Sequence, residues 1–358
     1  MIKVSKAVAL VLTFVFLCTS GQFASANTTS TEHQNARTIH LDDHTFYNKI
    51  PSDFDPLKAS DEELKTYGIP QRPSDPKKLK QWEKEVSNAK WVEPTIEEVP
   101  KEIRLGNTAQ LDNDASITNS DTKALTNSST LDSIFSTASN NWAGYVYGST
   151  AYGASADVTV PSIYAPSNYR PASCAQWVGT GGNSSTALAQ CGICESVSSV
   201  GANSYFAWYE TIGTNVSSSA YMFSSFSVSP KDDVYFSMYR ESASSGINLV
   251  YYMHNNTKGT YTSITVNVTS YSGISSSAEW IFERPANASG LDYLASPTNA
   301  TGYHTVSFTQ CGYKDTASIW QDASGTAYYL YDKTFTDIIA SETYLGVNSF
   351  IVSWYDYN

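Results

Sequence analysis

From about Ser139 to the C-terminus, short runs rich in Val, Ile, Tyr, Phe and Thr alternate with clusters of Ser, Gly, Asn and Pro. Residues 156–160, 233–239, 249–253, 263–268 and 349–354 are such runs. Side chains of a strand point alternately to its two faces, so each run predicts a strand with two distinct sides. Many short strands at close spacing predict a sandwich or barrel. Residues 255–259, Asn-Asn-Thr-Lys-Gly, sit between two of the runs and predict a hairpin turn. No helix of ordinary length is evident here, and about 220 residues suffice for one sandwich with a sizeable core. The expected fold is all-β: a β-sandwich of two packed antiparallel sheets, of the concanavalin-like or jelly-roll type.

Upstream the pattern changes. Residues 27–105 are polar and charged, with helix-like pieces at 61–65 and 75–86. The second opens with Asp then Pro, as helices do, and Leu79, Trp82 and Val86 fall on one helical face. Residues 106–135 are rich in Asn, Ser, Thr and Asp and read as an exposed linker where processing would occur. Before these come Lys3 and Lys6, a short apolar run, and Ala24-Ser25-Ala26. That order predicts a removable export signal of bacterial type, and the run is too short for a comfortable membrane span. The expected organisation is a signal peptide at 1–26, a pro-segment and linker at 27–135, and a β-domain at 136–358. The expected location is outside the cell.

Composition sharpens this picture. After the signal, Cys174, Cys191, Cys194 and Cys311 remain, an even set in an exported domain, which predicts disulfides. A zinc site would need a second CxxC beside Cys191-x-x-Cys194. The net charge is −12. From Ser136 onward there are seven Lys and Arg against fifteen Asp and Glu. A nucleic-acid binder needs a basic patch, and the sequence holds none. Sparse ion pairing also suits work in acid, where carboxylates protonate. No HExxH or G-x-S-x-G motif occurs, and the β-domain's two histidines, His254 and His304, read as structural.

The carboxylates and amides are more informative. In Ala278-Glu279-Trp280-Ile281-Phe282-Glu283, a strand points Glu279, Ile281 and Glu283 to one face and the aromatics to the other. Taken alone, that pair of carboxylates fits a solvated strand face, a glycoside hydrolase using Glu279 and Glu283 with tryptophans stacking sugars, or a non-catalytic binding module. Together with Asn141-Trp142-Ala143-Gly144, Val158-Thr159-Val160-Pro161, Gln176-Trp177-Val178-Gly179 and Ala207-Trp208-Tyr209-Glu210, in this order, the stretch resembles the glutamic peptidase family (eqolisin, peptidase family G1).

The resemblance implies a secreted, acid-acting endopeptidase with a Glu–Gln dyad on the concave sheet face. By similarity, Glu283 is the general acid and base and Gln190 stabilises the oxyanion, while Trp177, Trp208, Glu210 and Glu279 line the cleft. It implies protein or peptide substrates, and the pro-segment is expected to inhibit; nothing in the sequence indicates a metal or an organic cofactor. A monomer is expected, with no nucleic-acid or membrane partner. Lysines around 77–90 are expected to cover the acidic cleft. Two positions depart from the family. Gly181 stands where the family's Ile-Asp-Gly turn has its Asp, and Phe206 stands where an Asp is common.

Overall fold

Alternating aromatic and β-branched residues do build strands, and these join into one ladder. The computed structural model describes residues 39–41, 44–46, 53–105 and 137–358, apart from 68, 70, 71, 75, 88, 184–186, 214–218, 243–245, 269–272, 288, 289 and 347. These residues belong to one compact unit, 36–358. The expected signal peptide and the linker at 106–135 lie outside the described residues.

One half of the ladder runs Tyr221–Phe223, Asn203–Ile212, Leu188–Val197, Ala172–Gly181, Ala278–Glu283 and Trp142–Tyr147. The other half runs Thr305–Lys314, Gly153–Thr159, Asp233–Ser242, Ile247–Asn255 and Thr260–Val268. Strands Thr326–Tyr331, Ile338–Gly346 and Ser349–Trp354 link the two halves edge to edge. Every pairing on this path is antiparallel, while Lys90–Trp91, Thr137–Ser139 and Tyr293–Leu294 add parallel pairings.

The fold is all-β as expected, and the expected two packed antiparallel sheets are corrected to one large mixed sheet folded back on itself. The physical reason lies at the corner. Register shifts at Leu330/Tyr331 and Tyr344/Gly346 interrupt the linking strands, and one at Thr309/Gly312 interrupts the adjoining edge of the second half. Bulges bend and twist a strand, so the ladder turns without breaking.

The folded-over halves meet face to face. Val178, Ile193, Tyr209, Trp280 and Phe282 from one half share a buried core with Val158, Phe236, Met238, Leu249, Tyr251 and Ile264 from the other. Polar groups in this layer are paired across it. The Trp280 Nε1–H donates to Ser155 O at 2.9 Å, and Thr211 Oγ1 lies 2.6 Å from Tyr251 Oη.

Residues upstream of the domain pack onto it. Helix α1 (Asp61–Thr66) starts with a reciprocal cap: Ser60 N donates to Glu63 Oε2 at 2.7 Å, and Glu63 N donates to Ser60 Oγ at 3.2 Å. Helix α2 (Pro76–Ser87) buries Trp82 and Val86. Both residues join a cluster with Leu64, Tyr252 and Tyr261 on the outer face of the second half. Among the described residues, no helix is long and apolar enough to cross a membrane.

Candidate active site

The strands Ala172–Gly181 and Ala278–Glu283 are buried along their whole length. One side of each faces the inter-sheet core, so the other side must be covered by something else. Register places the residues of that other side. Gln190 lies across from Gly179 and Glu210, and Gly179 lies across from Glu279. Trp177 lies across from Gly192 and Ile281, and Glu283 across from Ala175 and Trp142. Thus Gln190, Glu210, Glu279, Glu283, Trp142, Trp177 and Trp208 all project from one face.

Two hydrogen bonds organise this face. The Trp177 Nε1–H donates to Glu283 Oε2 at 2.8 Å. The Gln190 Nε2–H donates to Glu210 Oε2 at 3.0 Å. Burial, and then the nearby Glu283 charge, push the Glu210 carboxyl well up, against the hydrogen bond from Gln190. Burial likewise pushes Glu279 well up. Glu283, Glu210 and Gln190 therefore share one desolvated pocket, with Trp142 edge-on against Trp177 at 5.0 Å. Removing the indole donor should weaken the hold on Glu283. A hydrogen bond to a charged group contributes about 1.5–3 kcal/mol. Trp177→Phe is therefore expected to lower stability by about that amount, read by urea unfolding.

Glycine makes the close packing possible. A Cβ on Gly192 would lie 2.0 Å from Gln176 O and 2.6 Å from Trp177 Cα, both backbone atoms that cannot swing away. Gly192→Ala is expected to cost about 2–3 kcal/mol in thermal or denaturant unfolding.

A family comparison decides what kind of site this is. Residues 140–354 match the model of the "Peptidase A4 family". The chain belongs to this peptidase family. That membership sets the enzyme class and leaves the polysaccharide-hydrolase and binding-module readings without support. The chain is also similar to solved structures. One is a crystal structure of scytalido-glutamic peptidase with a transition state analog inhibitor, 24% identical with TM-score 0.47, covering 60% of this chain and 98% of that one. Another is SCP-B, described as a member of the eqolisin family of peptidases in complex with the tripeptide Ala-Ile-His. It is 22% identical with TM-score 0.46, at the same coverage. A search of curated proteins gives no match.

In this peptidase A4 member all six residues singled out from the sequence lie on one face. Trp142 belongs with them, as do Leu188 and Ile281. Trp142 was visible in the Asn141-Trp142-Ala143-Gly144 motif, while Leu188 and Ile281 follow only from register.

The cover over the face is the chain itself, at a place the sequence did not suggest. Val99 and Leu105 are buried in one cluster with Trp142, Trp177, Trp208, Leu188 and Ile281, and Ile103 packs against it. The expectation that lysines around 77–90 cover the cleft is corrected, because α2 packs on Tyr252 and Tyr261 instead. Its apolar stripe of Leu79, Trp82 and Val86 seeks an aromatic surface, which the outer face of the second half supplies.

The departures from the family pattern also have a structural form. Gly181 and Gly182 have φ of +89° and +85°. A Cβ on Gly181 would lie 2.3 Å from Ala187 O, so this backbone has no room for an Asp there. Phe206 packs on the tryptophan cluster and makes that end of the cleft apolar.

The disulfide expectation is corrected as well: Cys174, Cys191, Cys194 and Cys311 are buried free thiols. Cys174 lies opposite Glu195 and Cys194 opposite Ala175, so their side chains leave opposite faces of the sheet. Cys174 instead approaches Glu195 Oε2 at 3.6 Å.

The histidines are structural. His304 Nδ1 lies 2.9 Å from Ser296 Oγ, and His254 is buried beside Tyr252 and Tyr261. Among the described residues no group of three or more His, Cys, Asp or Glu is placed to hold a metal.

Proposed function

We propose that the chain is a secreted, acid-acting endopeptidase that hydrolyses protein peptide bonds with a Glu283–Gln190 dyad. The observation that carries this reading is the gathering of Glu283, Trp177, Gln190 and Glu210 on one buried face, within a stretch that matches a peptidase family.

The chemistry follows from the side chains. The Glu283 carboxylate takes a proton from water as the water oxygen attacks the peptide carbonyl carbon. Gln190 has one acceptor and two donors. One N–H is held by Glu210, which fixes the amide plane. Its Oε1, buried with no hydrogen-bond partner in the protein, is left to accept from the attacking water. The second N–H is left to donate to the oxyanion that forms on the carbonyl oxygen. Collapse of the tetrahedral species breaks the C–N bond, and Glu283 returns its proton to the leaving nitrogen. The products are a carboxylic acid and an amine.

Acid suits such a site. Burial holds Glu210 and Glu279 toward their neutral forms, so neither places a like charge beside Glu283. Residues upstream of the domain act as an inhibitory pro-segment, since Val99 and Leu105 close the face in the precursor.

The test is hydrolysis of an unfolded protein by the acid-incubated full chain between about pH 2 and pH 7, with pepstatin and a chelator present. Acid proteolysis that resists both inhibitors supports the reading. Absence of proteolysis at every pH, after the segment over the cleft has been cleaved away, overturns it.

A further inference from the structure

Residues 93–105 form a strap with two distinct attachments. Ile96–Glu98 pairs antiparallel with Tyr221–Phe223, the edge strand of the catalytic half. The ladder continues at both ends: Val99 N donates to Ala220 O at 2.9 Å and Ser224 N to Thr95 O at 2.8 Å. Ser225 tightens the start, donating from Oγ to Glu93 O at 2.7 Å and accepting from Thr95 N at 2.9 Å. The chain then turns, with Ile103 N donating to Pro100 O at 2.8 Å. It ends on Ala286, where Arg104 N donates to Ala286 O at 2.6 Å and Ala286 N to Arg104 O at 2.9 Å. Ala286 lies just past Glu283. The strap therefore runs from the outer edge of the catalytic half, over the tryptophan face, to the end of the Glu283 strand.

The fit is asymmetric. Apolar contact is complete: Val99 and Leu105 are buried, and Gln190, Glu279 and Glu283 have 0% exposure. Polar contact is not. The indole N–H groups of Trp142 and Trp208 and the Oε1 of Gln190 are buried with no hydrogen-bond partner in the protein. Leaving such a group unpaired costs about 1–3 kcal/mol. The strap fills the cleft with aliphatic side chains and holds the edge with backbone bonds, yet it leaves polar groups unpaired, the two indole donors and the Gln190 acceptor among them.

We propose that the Ala220–Ser224 edge and the apolar cluster beside it are a docking track for extended, aliphatic-rich polypeptide, held in the precursor by residues 93–105. An edge strand offers a row of backbone donors and acceptors, and adding a strand is a general way to bind peptide. Alternate side chains of the added strand face the sheet and set preference. Here Phe206, Ile212, Ala220 and Met222 line that side, with no carboxylate where the family pattern has one at 206. At its buried positions the strap presents aliphatic side chains, Val99 and Leu105, while Glu97, which pairs with Met222, stays exposed. The track therefore selects aliphatic side chains at its buried positions and leaves charge at its rim. The turn at Pro100 lifts the strap's backbone over the catalytic face, so the strap blocks the site without lying extended through it. This inference rests on the peptidase reading for its biological meaning, but its test does not depend on catalysis.

The experiment uses the full chain carrying Glu283→Gln, so that nothing is cleaved. The probe is a fluorescein-labelled peptide with the sequence of residues 93–105, followed by anisotropy. A chain whose own strap is disabled by Val99→Asp and Leu105→Asp is expected to bind this peptide at least about tenfold tighter than the chain with an intact strap. The same peptide with Asp at both positions is expected to bind neither chain. An unlabelled peptide alternating Val and Thr is expected to compete, and one alternating Asp and Thr is not. A second disabled chain, Glu97→Pro, removes a backbone donor at an exposed position. It guards against misfolding of the first, with folding checked by circular dichroism. Equal binding by strapped and unstrapped chains, or equal binding of aliphatic and acidic peptides, overturns the proposal. Loss of proteolysis alone, with binding intact, would instead strike at the dyad.

Discussion

Glu283→Gln is expected to lower kcat by about 10³-fold or more while leaving KM nearly unchanged. The size follows from the role: a positioned acid and base contributes about 10²–10⁴-fold, and here one group serves both steps. The substitution is close to isosteric, and its amide oxygen can still accept the Trp177 N–H that lies 2.8 Å from Glu283 Oε2. Folding should therefore be preserved, and denaturant midpoints of the two chains should agree. Gln190→Ala removes an acceptor for water and a donor to the oxyanion, and loss of one such donor costs about 10²–10³-fold. The double variant should be little worse than Glu283→Gln alone, because residues acting as a unit are not additive. Single-turnover hydrolysis of one defined peptide by the activated chain reads all three. A loss below tenfold for Glu283→Gln would move the search for the base to Glu210 or Glu279.

How far the sequence disclosed this site depends on which physical rule carries each part. Strand alternation is local, so the face shared by Glu279, Ile281 and Glu283 was legible at once, and register then adds Gln190 opposite Gly179. The hairpin at 255–259 was legible for the same reason: Asn255 pairs with Thr260, and Gly259 takes a φ of +61°. Long-range cover was not legible. Val99, Ile103 and Leu105 are three apolar residues scattered among charges, and such a run carries no period that names its partner. The amphipathic stripe of α2 predicted a helix correctly but not which face of the domain it would meet. The continuous sheet was hidden too, since bulges at corners look like ordinary interruptions in a strand. The cysteine rule reads compartment and count, and it could not see that Cys194 leaves the face opposite to the core that holds Cys174, Cys191 and Cys311. Glu195 shows the limit of a general preference. Alternation from Cys191 and Ile193 points it into the core, against the tendency of glutamate to lie outside.

That buried glutamate yields the second large effect. Glu195 has 0% exposure, and its Oε2 accepts from Gln176 Nε2 at 3.0 Å. Burial pushes its carboxyl from 4.5 up to about 8, outweighing the hydrogen bonds from Gln176 and Cys174. Between those two values the unfolded chain has released a proton that the folded chain still holds. Fewer protons on the unfolded state means that stability falls as pH rises. The contribution is fully present below about pH 4.5 and lost progressively up to about pH 8. At about 1.4 kcal/mol per pH unit, the whole loss is roughly 4–5 kcal/mol. His254 works the other way. Burial lowers it from 6.5 to about 4, so stability is lost as pH falls through that window. The two slopes oppose each other in mildly acid solution, and above about pH 6.5 the Glu195 loss is no longer opposed by His254. Glu195→Gln keeps the volume and an acceptor for Gln176 but has nothing to titrate. The stability of this variant minus that of the parent should therefore grow by about 1.4 kcal/mol per pH unit between about pH 4.5 and pH 8, and stay flat outside that range. Taking the difference cancels His254, Glu210 and Glu279, which both chains share. Urea unfolding of the full chains at a series of pH values measures it, and parallel curves would mean that Glu195 is charged or solvated in the fold. A difference that grows as expected would extend the proposed acid preference from the cleft to the core. The same desolvation that holds Glu210 and Glu279 toward neutrality beside Glu283 would then favour the fold itself in the acid proposed for that site.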